Sequence, residues 1–370
     1  MRYDGGMPAD RDELSRIRAA LEAADAELCR ALDARAAATR RFVELRRSEP
    51  SGYHQLPSAA EVIQRVKAGC TTFPAAGVEA VVREVLSVSD ALVAEVRVAV
   101  LAPEGGLAHQ AARRHFGARA TFESHASIAE VFAAIERGAV SYGVVPLETT
   151  TDGTVQATLG ALAFGRAKML GERRLRTAYH LYSRTGNAGD VERIVAPASV
   201  LAACQATLRT HFPRASQLEM KTGAMAARLA MEDHGSAVLG PELVLEAASD
   251  GTALRQVQGH LEDDATVQTR FVVVGKEAAR RTGQDRTWLA VATKEGPGAL
   301  YSALAPFAER GVNLTRLESR HLSGSPYPEV FFVELDGHAS DRSVVGALDD
   351  LRAVARHVEV LGSYPRPSEG

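Results

Sequence analysis

The sequence predicts a chain of three parts: an all-α helical segment, a two-lobed α/β segment and a ferredoxin-like α+β segment. Three observations predict this. Residues 9–96 carry their apolar side chains only at helical spacing, strand and helix patterns alternate from about residue 97, and the elements beyond residue 286 run βαββαβ. The length of 370 residues suits two or three domains, with boundaries read at 9–96, 97–275 and 287–365. A formal charge of -3 gives no general field for nucleic acid or an anionic membrane. Cys29, Cys70 and Cys204 show no CxxC spacing, which fits a reducing cytoplasm. The opening "MRYDGGMPADRDEL" lacks the apolar core of a signal peptide, and no apolar run reaches about 18 residues. A cytoplasmic protein without a membrane span is therefore expected.

In the first segment Leu14, Ile17, Leu21, Leu28 and Leu32 recur at helical spacing, and the pattern continues through Phe42 to Leu45. This predicts one helix of roughly 35 residues, about 50 Å long. "SEPSGYHQLP" interrupts it, and shorter helices follow around 58–68 and 77–95. A helix this long cannot bury its stripe against two short partners, so pairing with a second copy is expected. Arg35 and Arg46 lie within about 20° of each other on the helix and edge onto the apolar stripe. Two readings stand: snorkelling stems with heads in water, or a pocket for a dicarboxylate inside a helical bundle.

In the second segment "VRVAVLAP" and "SYGVVPLE" read as strands, with "LAHQAARRHF" and "SIAEVFAAIERG" as helices between them. The alternation continues to about residue 275 and predicts a mostly parallel sheet system with a cleft. "ATVQTRFVVVG", 265–275, starts polar and ends apolar. Thr269 and Arg270 are either a reactive pair at a strand mouth or the polar start of a core strand; adjacent side chains face opposite ways. Phe271 reads as core. Gly105 and Gly153 stand where helix starts could offer backbone N–H groups to an anion. Glu148 and Asp263 fit a site or a cap equally well. His109 and His125 lack ligand spacing and read as solvated or structural. No nucleotide loop, metal-ligand spacing or nucleophile elbow appears, so neither cofactor nor metal is expected. "KEAARRTGQDR" is a charged linker. The last segment then supplies "TWLAVATK", "GALYSALAPFAERG", "VNLTRLESRHL", "EVFFVELDG", "DRSVVGALDDLRAVA" and "VEVLGSYP" in βαββαβ order.

Several of these stretches carry a resemblance. "IRAALEAADAELCRALDARAAATRRFVELR" resembles the first helix of the all-helical chorismate mutases, where Arg18, Arg35 and Arg46 fall on chorismate-gripping positions, Asp25 also fits and Ser89 matches in the third helix. "LAPEGGLAHQAA", "SIAEVFAAIERGAVSYGVVPLETTTDGTV" and "LEDDATVQTRF" resemble successive blocks of the prephenate dehydratases. "GPGALYSALAPFAERGVNLTRLESR" resembles the ACT regulatory domain through Gly298-Ala299-Leu300 and Glu318-Ser319-Arg320. Together they resemble the bifunctional chorismate mutase–prephenate dehydratase proteins over nearly the whole chain.

The resemblance implies a chorismate-mutase-like helical domain, a periplasmic-binding-protein-like pair of α/β lobes and an ACT domain. It implies conversion of prephenate to phenylpyruvate for phenylalanine synthesis, chorismate as a further substrate, phenylalanine as effector, and a homodimer or larger homo-oligomer. Thr269 would help hydroxide leave, with Arg270 and Glu148 beside it and Gly105, Thr149, Thr150, Gly153 and Asp263 around the substrate. The departures are specific. "SAAEVI" replaces the second-helix Arg-Glu, and Val93 stands where a hydrogen-bonding residue is usual, so mutase activity is expected to be weak or lost. In the cleft Ala102, Gly106, Leu107, Ala108, Thr149, Thr150, Ala196-Pro197-Ala198, Gly240 and Val267 replace other residues, several of them polar. Two rival readings follow: a catalytically silent phenylalanine sensor, or an enzyme acting on a modified prephenate.

Overall fold

A computed structural model describes residues 11–48, 59–92, 95–150, 153–242, 244–245, 254–322 and 326–367. The N-terminal part holds α1 (Arg11–Ser48), α2 (Ala59–Gly69) and α3 (Ala75–Ala91). The first helix is 38 residues long, close to the sequence reading. Its stripe stays in the open: Leu14, Leu21 and Leu28 are 51%, 62% and 54% exposed. The third helix stops at Ala91, short of the predicted 95, and Val93 lies outside the described residues.

The next part is built from β1 (Arg97–Leu101), α4 (Leu107–Phe116), β2 (Thr121–His125), α5 (Ile128–Arg137), β3 (Tyr142–Thr149), β4 (Gly153–Thr154), α6 (Gln156–Phe164) and β5 (Lys168–Arg176). The chain then crosses to a second unit. That unit holds β6 (His180–Ser183), β7 (Arg193–Ala196), α7 (Ala198–Ala203), α8 (Gln205–His211), β8 (Ser216–Glu219), α9 (Gly223–Glu232), β9 (Ser236–Gly240) and β10 (Arg255–Gln258). It returns as β11 (Gln268–Gly275), the strand that runs through the middle of the first sheet. The first sheet has the order β2-β1-β3-β11-β5 with β4 beside β3, and the second has the order β10-β6-β9-β7-β8. The two crossing segments touch where Thr177 N–H donates to the Val267 carbonyl at 2.9 Å.

The sheets are mixed, not mostly parallel as expected. β1 pairs with β2 and β3 in parallel, as β7 does with β8 and β9. β11 runs antiparallel to β3 and β5, and β6 antiparallel to β9 and β10. Strands next to the crossings enter each sheet from the far end, so they run against the βαβ strands.

The last part holds β12 (Asp285–Ala292), α10 (Ala299–Glu309), β13 (Leu314–Arg320), β14 (Val330–Asp336), α11 (Arg342–Val354) and β15 (His357–Pro365). They form a third, antiparallel sheet of order β13-β14-β12-β15 with the predicted βαββαβ connections. Its inner face shares a core with the first sheet: Trp288, Phe332 and Tyr364 join Leu147, Met169 and Val272 in one buried cluster. Burying aromatic area there fixes the third sheet against the first. Among the described residues no helix is long and apolar enough to cross a membrane, and Cys29, Cys70 and Cys204 are free thiols.

Candidate active site

The carboxyl end of β1 turns through Ala102–Gly106 into α4, and that turn faces the second α/β unit. Gly105 has φ +75°, a conformation that glycine adopts without strain. Gly106 caps α4, where a Cβ would come within 2.8 Å of the Pro103 carbonyl oxygen. The opposite wall is the start of α9, capped by the Thr222 hydroxyl, which accepts from Met225 N–H at 3.2 Å. A Cβ on Gly223 would lie 3.8 Å from the Glu104 carbonyl oxygen, so the two helix starts approach across the cleft.

Thr269 sits at the mouth of β11, in register with Thr149 on β3 and Leu175 on β5. Strand alternation puts it on the face of Phe271 and Val273, which pack against Ala108, Ala111 and Ala112 of α4. It is 7% exposed, and its hydroxyl has no hydrogen-bond partner among the described residues. Phe271 is core, as read from the sequence. The Thr150 hydroxyl accepts from Gln268 N–H at 3.1 Å and ties the turn after β3 to the start of β11. Gly153, with φ +71°, closes that turn opposite Thr149.

Other expected site residues point elsewhere. Arg270 is buried on the opposite face of β11. Its Nε donates to Glu172 at 2.6 Å, and its terminal nitrogens donate to Glu334 at 2.9 Å and to the Tyr364 hydroxyl at 3.2 Å. The guanidinium also lies over the Trp288 ring, 5.4 Å from its centroid. Burial works against this charge, but Tyr364, Glu334 and Glu172 outweigh it and hold Arg270 firmly protonated. Burial likewise pushes the Tyr364 phenol well above its ordinary value. Arg270 thus joins the first sheet to the third, although Thr269, Thr150, Glu148 and Arg270 also line one open cavity, together with Arg174 and Arg316.

Glu148 shares that orientation. Its carboxylate accepts from Arg316 at 2.6 Å, Arg316 also donates to the Thr154 hydroxyl at 3.0 Å, and Thr154 donates to Glu318 at 2.6 Å. Asp263 is a helix cap: its two oxygens accept from Ala206 and Thr207 N–H at 2.9 and 2.8 Å, the first turn of α8. Burial alone would raise its pKa, yet those backbone N–H bonds hold it below the usual value. Gly105 N–H is occupied within its own turn, donating to His109 Nδ1 at 3.1 Å. Burial keeps His109 below its ordinary pKa, which suits a neutral structural acceptor. The donors this wall offers are instead the first-turn amides of α4, Leu107 to His109, which helix geometry leaves without intrahelical acceptors.

In the helical part Arg35 Nε donates to the Ser89 hydroxyl at 3.3 Å, so the structure brings two of the expected mutase residues together. Arg18 projects into the open, and the Arg46 side chain lies outside the described residues. In the third sheet Gly298 opens α10 with φ +79°, followed by half-buried Ala299 and Leu300. Glu318 bonds Thr154, Arg316 and Arg320, whereas Ser319 faces the open side of β13. Among the described residues no hydrogen bond or ion pair within the chain joins the Gly298 turn to Glu318, Ser319 or Arg320.

Sequence reasoning missed Thr154, Glu172, Arg316, Glu334 and Tyr364. A signal existed for Glu334, an acid set between Val333 and Leu335 in the strand "VFFVELD", since a buried carboxylate demands a cationic partner.

A family model described as prephenate dehydratase matches residues 98–279. The bifunctional chorismate mutase/prephenate dehydratase of Aquifex aeolicus is 31% identical over 360 residues, 96% of this chain and 98% of that protein. The chain belongs to the bifunctional chorismate mutase/prephenate dehydratase family. A second member, from Stutzerimonas stutzeri, is 34% identical over 285 residues, 77% of each chain. Among solved structures, the prephenate dehydratase of Arthrobacter aurescens in complex with L-Phe is 30% identical with a TM-score of 0.61, covering 74% of this chain and 91% of that one. Family membership accounts for both α/β units and the helical part preceding them. It leaves the role of each cleft residue to be argued from geometry.

Proposed function

We propose that the chain is a prephenate dehydratase, forming phenylpyruvate, CO2 and water for phenylalanine synthesis. The observation that carries this reading is the Thr269 hydroxyl, unbonded on the cleft face of β11 beside the start of α4. In the reaction the ring C–carboxylate bond breaks, its electron pair enters the ring, and the ring hydroxyl leaves as water after gaining a proton. Thr269 donates the hydrogen bond or proton that helps hydroxide leave. The first-turn amides of α4 hold a substrate carboxylate, with Thr149 flanking Thr269. Glu148 and Arg270 position this strand pair from behind and do not touch substrate.

The helical part retains the Arg35–Ser89 pair but lacks the second-helix Arg-Glu, so chorismate turnover is weak or absent and the part serves chiefly to pair two copies. The third sheet is an ACT-type regulatory domain with phenylalanine as effector, a reading supported by the L-Phe complex of the Arthrobacter relative. Prephenate and chorismate are offered separately, with and without phenylalanine, and phenylpyruvate is followed. Expected are formation from prephenate, little from chorismate, and a fall in kcat of about 100-fold or more in Thr269→Ala. Full turnover by Thr269→Ala would remove its assigned role. The residues Ala108 and Val267 favour a second reading, a silent phenylalanine sensor, because both lack polar groups beside the cleft. No turnover with saturable phenylalanine binding would establish that one.

A further inference from the structure

A cavity lies where the helical part, the first sheet and the end of β15 meet. Its lining includes Arg83 of α3, His115 at the end of α4 and Arg173 of β5, with Ile63 and Leu170 among its apolar walls. The charges do not balance. Glu79 accepts from Lys67 and Arg83, both at 2.7 Å, while Arg173 stays 3.9 Å from it. One carboxylate thus faces three cations. Glu172 does not make up the difference, since its carboxylate is engaged on the other face of β5 by Arg270, Arg286 and Tyr364.

Two buried nitrogens are also left over. Arg173 Nε and His115 Nδ1 have no hydrogen-bond partner among the described residues. A buried donor such as Arg173 Nε is costly and rare when unpaired, while His115 Nδ1 donates or accepts according to the tautomer. Burial, with Arg83 nearby, pulls the Arg173 guanidinium down to about 10, the mark of a cation short of a counter-ion. Gly171 keeps the space open, because a Cβ there would come within 2.9 Å of the His115 ring.

We propose that this cavity binds a small organic carboxylate with an apolar body. The carboxylate takes the outer end of the Arg173 guanidinium, whose side chain is 21% exposed, and the body lies against Ile63 and Leu170. A guanidinium matches a carboxylate in shape as well as charge, and apolar walls select an organic acid over a hydrated inorganic ion. Because all three parts of the chain line the cavity, an occupant binds only their assembled arrangement.

The test is calorimetric titration of the full chain with phenylacetate and, separately, with inorganic phosphate. Expected are saturable phenylacetate binding, weaker phosphate binding, and an affinity for phenylacetate reduced at least about tenfold in Arg173→Met. Arg173→Lys, which keeps the charge and loses the fork, falls between. Without ligand, Arg173→Met should melt no lower than the parent, since it removes a partly buried cation that shares the Glu79 carboxylate with Lys67 and Arg83. Absence of phenylacetate binding, equal binding by Arg173→Met, tighter binding of phosphate, or a marked loss of folding in Arg173→Met would each overturn the proposal.

Discussion

Thr269 and Arg270 are separated by one peptide bond, and strand geometry sends their side chains to opposite faces of the first sheet. The sequence marks both as polar residues at a strand mouth. It cannot say which one faces the cleft, because that depends on which helices cover each face. Glu148 is harder still. The β3–β11 register slips between Arg270 and Phe271, whose partners are Glu148 and Pro146, leaving Leu147 as the extra residue. The bulge puts Glu148 on the side of Arg270, and nothing in "VVPLETT" announces it. Asp263 gives the sharpest test of the distinction between capping and substrate contact. Asp263→Ala should lower stability by about 1 kcal/mol, the usual cost of a lost helix cap. Its kcat/KM for prephenate should be unchanged, and Asp263→Asn, which can still accept from the backbone, should regain most of the stability. Thermal melting and steady-state kinetics read both; a large fall in kcat with normal melting would return Asp263 to the substrate.

At the scale of elements, periodicity made helices and strands legible with little error. α4 was expected over "LAHQAARRHF" and spans Leu107–Phe116, because its alanines and its glycine borders act locally. Strand direction was not legible, since pairing of β11 with β3 joins residues more than a hundred positions apart. The same distance hides the tie between β13 and β4, where Thr154 and Arg316 bracket Glu318. Burial pushes the Glu318 carboxyl up, but Thr154, Arg320 and Arg316 outweigh it and hold it below its ordinary value. A carboxyl with a depressed pKa in the folded state stabilises fully above the unfolded value, about 4.3, and loses that contribution as pH falls through the folded one. Lowering the pH through this range should therefore free β13 from β4. Hydrogen exchange at β13 amides, corrected for intrinsic rates, should quicken relative to β12, and Glu318→Gln should show no such step. Equal behaviour of β13 and β12 on acidification would show that the tie does not hold the sheet.

At the scale of the whole molecule, the apolar stripe of α1 makes sense only with something to cover it. Leu14, Ile17, Leu21, Leu28 and Leu32 are all exposed on a helix of 38 residues, while Thr39 and the Arg35–Ser89 contact mark where α1 meets α3. Apolar patches of that extent are uncommon on monomers. Paired α1 helices would bury the stripe. The exposed stripe was legible in the sequence because it is a property of one helix, whereas the occupant of its surface is a property of two chains. The parent protein should run as a dimer or larger by light scattering at micromolar concentration. Leu21→Glu with Leu28→Glu should shift it toward monomer, since a carboxylate on each side of a two-fold pair repels its counterpart and loses hydration on burial. Prephenate turnover per chain should survive, because Thr269 and the start of α4 belong to one chain. A parent that is monomeric at that concentration, or a doubly substituted chain that stays dimeric, would show that α1 is not the surface through which copies meet.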